Sequence, residues 1–226
     1  MGLNKQKGNM YPWVTHTWNV IKGKCPHNCS YCYMKGYSQP ELHFDEKELK
    51  TDLGKGNFIF VGSSCDMWAE DILLDWIIKT LNHCIWYEDG NSYLFQSKNP
   101  IRFNGWNFPK NTILGTTIET NRRYAISQAP IPYSRAYAMA HLMLPSMVSI
   151  EPIMDFDLDV MVRWIAEIKP EFVSIGADSK GHKLPEPSPD KVQNLIRELE
   201  ALTEVKVKDN LKRILRQEMP DEHTEL

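Results

Sequence analysis

The sequence predicts an α/β fold, a partial (β/α)6 barrel of parallel strands in one domain, and three observations lead there. Short β-branched and aromatic runs alternate with longer segments of helical periodicity, the pattern of right-handed βαβ crossovers on a parallel sheet. Six such runs occur in 226 residues, whereas a full eight-unit barrel typically needs about 250. The unusual polar residues, cysteines above all, follow the apolar runs directly, where ligands sit in folds of this kind.

In chain order, strands are expected at 15–21 (THTWNVI), 57–62 (NFIFVG), 93–97 (YLFQS), 113–118 (ILGTTI), 147–151 (MVSIE) and 172–176 (FVSIG). Each is short, β-branched or aromatic, and bounded by Gly, Pro, Asn or Asp. Helices are expected near 41–53, 68–84, 134–144, 157–168 and 189–202. In the fourth, Leu158, Val162, Ile165 and Ile168 recur near helical spacing and Pro170 closes the segment. Residues 1–226 read as a single domain with a core over about 15–205 and a charged end, 206–226, of which RQEMPDEHTEL is expected to fray.

Composition narrows the function. With 42% hydrophobic and 24% charged residues, seven Trp, nine Tyr and eight Phe, the chain can bury a substantial core. Lys and Arg number 26 against 29 Asp and Glu, a net charge of -3, so no global basic field announces a polyanionic partner. The start, MGLNKQKGNMYPW, has no apolar signal-like region, and no run of 18 apolar residues occurs. A cytoplasmic protein with no membrane partner is expected. Thiols stay reduced there, so five cysteines, an odd number, read as metal ligands or catalysts rather than disulfides.

Three of those cysteines lie in KCPHNCSYCYMKG, residues 24–36, as Cys25-x3-Cys29-x2-Cys32. A structural zinc ion wants four ligands, and here a fourth is offered only by His27 in the same tight loop. Three thiolates from one loop suit a [4Fe-4S] cluster with one iron left open. A zinc loop and three incidental buried thiols are the competing readings. After the other strands come Gly62-Ser63-Ser64-Cys65-Asp66, Lys98, Glu119, Glu151 and Gly176-Ala177-Asp178.

The C-x3-C-x2-C motif after the first strand, with an aromatic residue before its last cysteine, resembles the signature of the radical S-adenosylmethionine (SAM) superfamily. THTWNVIKGKC, YCYMKG, FVGSSCDMWAE, FQSKNPIRF, TTIETNRR and VSIEPI, in that order, resemble short phage and bacterial radical SAM proteins related to spore photoproduct lyase. The resemblance spans roughly residues 15 to 180. It implies a barrel of the radical SAM type, a [4Fe-4S] cluster on Cys25, Cys29 and Cys32, and SAM as second cofactor. It also implies reductive SAM cleavage to a 5′-deoxyadenosyl radical that takes hydrogen from substrate, with electrons from a low-potential donor such as flavodoxin or ferredoxin.

Carried over by position, the resemblance sets Tyr31 beside the adenine. Gly62, Ser63 and Ser64 stand at the loop that meets the methionine amino group, with Asp66 replacing that loop's missing acid. Lys98 falls near the SAM carboxylate, Thr117 and Glu119 near the ribose, and Glu151 on the lining. Cys65 is the candidate hydrogen donor to a product radical, displaced from the lyase position, where Ser63 stands; the bland reading makes Cys65 a small loop residue.

The expected substrate is a nucleic-acid base or modified nucleotide, in DNA modification or repair-like chemistry, with a lyase, an isomerase or another transformation open. A peptide or protein partner, as in activases, and a non-catalytic metal scaffold are the alternatives. A polynucleotide would be held by local cations, Lys98, Arg102, Arg122, Arg123 and Arg135. Trp13, Trp18, Trp68, Trp76 and Trp86 are expected in core or rim packing, Cys84 in the core, and the histidines other than His27 as structural or solvated groups.

Overall fold

The computed structural model describes residues 3–8 and 10–216; most of the expected charged end, 217–226, with His223, lies outside the described residues. Its strands are β1 (Asn4–Lys5), β2 (His16–Trp18), β3 (Ile21–Lys22), β4 (His43–Phe44), β5 (Phe58–Val61), β6 (Ser92–Ser97), β7 (Thr112–Thr117), β8 (Ser146–Ile150), β9 (Phe172–Ile175) and β10 (Glu204–Val207). The α-helices are α1 (Leu74–Trp86), α2 (Pro132–Ala140), α3 (Leu158–Ile168), α4 (Pro189–Glu200) and α5 (Lys212–Leu215). One sheet runs β1-β2-β5-β6-β7-β8-β9-β10. From β2 to β10 every neighbouring pair is parallel; β1 pairs antiparallel with β2.

All six expected strands are present, and β10 adds a seventh parallel one in register with β9, Glu204 opposite Phe172 and Val207 opposite Ile175. Its sequence, EVKV, is half charged and half exposed, so it carries little of the apolar signal that marks a strand. The packed body therefore reaches past residue 205: Leu211 and Ile214 are buried.

Two local expectations are corrected. The run 15–21 does not continue as one strand, because Asn19 turns aside to accept hydrogen bonds from Ser63 Oγ and the Ser64 amide; residues 21–22 join β4 instead. The segment 41–53 forms β4 and a 3-10 turn, Glu46–Lys50, with no buried residue in the turn. Its charges find local partners, as Lys22 binds Asp45 and Glu48 at 2.8 and 2.7 Å, and no apolar stripe exists to hold a helix against the core.

Helices cover the outer face of the sheet. In α3 the buried residues Met161, Trp164, Ile165 and Ile168 form one stripe at helical spacing, each burial contributing about 1.5–3 kcal/mol. Helix α1 begins at residue 74 rather than 68 because residues 68–72 form a run of turns, their carbonyls gathered by the Arg102 guanidinium. Trp18 and Trp68 are core residues, whereas Trp86, expected to pack, is 83% exposed.

Strand alternation divides the inner face into two zones. Near its base lie Phe60, Leu94, Met147 and Phe172, packed with Tyr11 and Val14. Two or more residues further along the same faces come Gly62, Gln96, Ser149 and Gly176. The N-terminal segment closes the open side: Trp13 stacks on Tyr11 at 5.0 Å and meets Phe58 and Phe172 at 4.9 and 5.1 Å. Tyr11 also lies under the Lys208 ammonium at 5.1 Å. No described helix is long and apolar enough to cross a membrane.

Candidate active site

A cavity of about 740 Å³ opens at the C-terminal ends of the parallel strands. Its lining includes Cys25, Cys29, Tyr31 and Cys32 from the cysteine loop, Gly62 through Asp66, Lys98, Thr117 and Glu151. The expected site residues thus come together, with Glu119 just behind the wall, fully buried.

The antiparallel pair β3–β4 brackets the cysteine loop. Asn28 adopts φ 45°, a left-handed conformation that Asn tolerates, tightening the chain between Cys25 and Cys29. Backbone bonds from the Ser30 amide to Ile126 and from the Gln128 amide to His27 pin the loop from the far side. All three cysteines are free thiols. Cys65 is buried and lines the same cavity as Cys25; the pairing of the two thiols lowers the Cys25 pKa although burial opposes this, and raises that of Cys65.

Asp66 is the knot of the site. Its Oδ2 accepts from His27 Nε2 at 2.8 Å, Ser97 Oγ at 3.0 Å and the Lys98 amide at 2.8 Å, and its Oδ1 from the Trp68 amide at 2.9 Å. Three of these four donors converge on Oδ2 and one on Oδ1, so both oxygens are engaged. Burial alone would raise its pKa; the His27 bond and charge bring it below the usual value. The resemblance assigns Asp66 to the SAM amino group; in the structure it lines the cavity and ties the cysteine loop to β6. His27, the candidate fourth zinc ligand, is the other end of that tie.

Glu119 anchors a second network. Its carboxylate accepts from Arg135 Nη1 at 2.7 Å and from the Tyr31 hydroxyl, and Lys98 Nζ stands 3.8 Å away. Burial opposes its ionisation, and the Arg135 and Lys98 charges overcome that to hold its pKa low. Lys98 Nζ also lies 5.4 Å from the Tyr31 ring centre. Glu151 pairs with Lys208 at 2.8 Å. An added Cβ on Gly176 would come within 2.7 Å of the Glu151 carboxylate, so a larger residue there would have to push that carboxylate aside. Gly62, at φ 78°, likewise needs its freedom to turn the chain out of β5.

Three of the four arginines expected to grip a polynucleotide are committed elsewhere, while Arg123 is exposed. Arg102 binds the 68–72 carbonyls, Arg122 pairs with Asp155 and Asp157, and Arg135 is buried on Glu119. Sequence reasoning missed Asn19, Gln96, Tyr11 and Lys208. Gln96 was legible two residues before Lys98 on the same strand face; Tyr11 and Lys208 lie beyond the expected core limits and carried no signal.

The donor set fits a four-iron cluster in its chemistry. Among the described residues no group of three His, Cys, Asp or Glu has the spacing of a single-ion site. Thiolates of a cubane each bind a different iron and so stand further apart than the ligands of one ion. Three free thiols of one pinned loop line one cavity, the donor type such a cluster takes.

No protein family and no curated protein matches the chain. Among solved structures, a double mutant of spore photoproduct lyase with bound AdoMet and dinucleoside spore photoproduct aligns at a TM-score of 0.61 and 14% identity, covering 91% of this chain and 80% of that one. A cysteine-to-serine mutant of the same lyase aligns at 0.64 and 13%, covering 89% and 78%. The chain has the mostly parallel α/β fold of the radical SAM proteins.

Proposed function

We propose that this chain is a radical SAM enzyme acting on a nucleic-acid base or modified nucleotide. The observation that carries the reading is that the three cysteines of one loop face the same strand-end cavity as Tyr31, Lys98 and the Gly62–Asp66 loop, within a fold shared with a lyase whose structure holds AdoMet. Cys25, Cys29 and Cys32 would hold a [4Fe-4S] cluster, which supplies one electron to SAM and thereby the means of making a carbon radical on a substrate. A low-potential flavodoxin or ferredoxin would deliver that electron, in a cytoplasm that keeps the thiols reduced.

The chain's own residues set up the pocket. Asp66 and His27 fix the cysteine loop against β6. Lys98 offers a compact cation for a carboxylate, and Glu119, held by Arg135, keeps Tyr31 in place. Asn19 secures Ser63 and Ser64, leaving the small residues after β5 open to close approach by a ligand backbone. The Cys65 thiol, buried beside Cys25, carries an S–H bond weak enough to quench a carbon radical.

Anaerobic reconstitution tests the reading. The wild-type chain should hold about four irons and four sulfides, bleach in air and, once reduced, convert SAM to 5′-deoxyadenosine. Cys25→Ala, Cys29→Ala and Cys32→Ala should each lose the iron; Cys65→Ala and Cys84→Ala should keep it, with Cys65→Ala altering the product formed from a true substrate. Stoichiometric zinc without iron would reject the assignment.

A further inference from the structure

The charge inside the cavity has the opposite sign from that of the chain. Five lysines line it, Lys5, Lys7, Lys98, Lys180 and Lys208, against three carboxylates, Asp66, Glu151 and Asp178, in a chain of net charge -3. The carboxylates are occupied: Asp66 by four donors, Glu151 by Lys208, and Asp178 by His182 Nδ1 at 2.6 Å. Lys98 faces Glu119 and Tyr31. That leaves Lys5, Lys7 and Lys180, all exposed, with no ion pair among the described residues.

These three come from distant parts of the sheet. Lys5 belongs to β1 at one edge, Lys7 follows it, and Lys180 lies in the loop after β9 near the other edge. They share one cavity because the sheet curls and the N-terminal segment crosses its open side. Lys180 Nζ stands 4.0 Å from where a side chain on Gly36 would begin, beside the end of the cysteine loop. Tyr33 and Tyr37 of that stretch also line the cavity and keep 44% and 64% of their surface exposed. Tyr33 is oriented by its hydroxyl, which donates to the Ser63 carbonyl at 3.1 Å.

We propose that this mouth is a phosphate-binding site for a free nucleotide, with Lys5, Lys7 and Lys180 taking the phosphate and Tyr33 and Tyr37 offering ring faces to the base. The inference rests on the proposed function and narrows its substrate to a mononucleotide. Unpaired ammonium groups at the rim of a low-dielectric cavity focus the field on an incoming anion, and exposed aromatic faces stack bases of any sequence. A polynucleotide is held by contacts to many phosphates, about 6–10 in well-studied cases. Here Arg102, Arg122 and Arg135, which would extend such a track, are bound within the protein, and of the expected arginines Arg123 alone is exposed. The cavity, about 740 Å³, is of small-molecule size, about 300–1,000 Å³, and by the proposed function the cluster and SAM share it, so a nucleotide would sit at its mouth.

Calorimetry on the full, reconstituted chain with SAM present tests this directly. The probes are the four deoxynucleoside 5′-monophosphates, the matching nucleosides and a single-stranded 20-mer of DNA. At least one monophosphate should bind, and its nucleoside should bind about tenfold or more weakly. Lys7→Glu and Lys180→Glu should each weaken that monophosphate by about tenfold, with SAM affinity as the internal control. Equal binding of nucleoside and monophosphate, indifference to both charge reversals, or a 20-mer at least tenfold tighter than every monophosphate would overturn the phosphate site. A chain that binds iron and SAM but no nucleotide would lose this inference and keep the radical SAM reading; a chain without iron or SAM affinity would lose the latter.

Discussion

Lys98 and Asp66 are neighbours in space that the structure gives different tasks. Lys98 has its ammonium near Glu119 and Tyr31 at the cavity wall, so Lys98→Ala should weaken SAM binding about 10 to 150-fold, the worth of a charge-assisted hydrogen bond, with no loss of iron. Asp66 accepts four buried or partly buried donors. Asp66→Ala strands several of them at about 1–3 kcal/mol each, so it should lower stability by about 3 kcal/mol or more and release the cysteine loop. Iron content and SAM titration on the two variants separate the tasks: iron retained with weak SAM for Lys98→Ala, both impaired for Asp66→Ala. Fully retained SAM affinity in Lys98→Ala would move the carboxylate site elsewhere.

Helix α2 owes its position to one side chain as much as to its apolar face. Arg135, 2% exposed, bridges from α2 to Glu119 and to the Thr117 carbonyl at the end of β7. Truncating one member of such a buried pair leaves the other charge uncompensated, a loss of about 3–5 kcal/mol. Arg135→Met, similar in length but uncharged, should therefore destabilise by about that amount in denaturant unfolding, even though it replaces polar volume with apolar. The segment 68–72 is a parallel case: Arg102 satisfies its carbonyls from outside, which is why no helix is needed there.

For the whole molecule, carboxylates that internal partners hold below their ordinary pKa set the acid limit, Asp66 and Glu119 among them. Asp66 and Glu119 both have folded-state pKa values below their ordinary 3.8 and 4.5, so the unfolded chain binds protons more readily than the folded one in acid. Their contribution is complete above about pH 5 and is lost as pH falls through the lowered folded values. Acid unfolding, followed by tryptophan fluorescence, should thus begin below about pH 4. Arg135→Met removes the charge that holds Glu119 down and should shift that transition to higher pH; an unchanged acid limit would show that Glu119 is not held by Arg135.

The sequence by itself determined the periodic parts of this protein. Six parallel strands, four of the five expected helices and the strand-end placement of the cysteine loop were legible, because burial on a sheet leaves β-branched runs and burial of one helix face leaves an apolar stripe. It also named Cys25, Cys29, Cys32 and Lys98, since polar residues directly after apolar strands have few structural reasons to be there. Tertiary structure alone decided what carries no local pattern. The half-charged β10 is a strand because β9 offers it an edge, and Tyr11 enters the cavity because the N-terminal segment spans a gap between strands far apart in sequence. Asp66, Arg102 and Arg135 read as ligand-binding charges; the internal partners that the fold also gives them follow from the need of buried charges and backbone groups to be paired, which no local pattern shows.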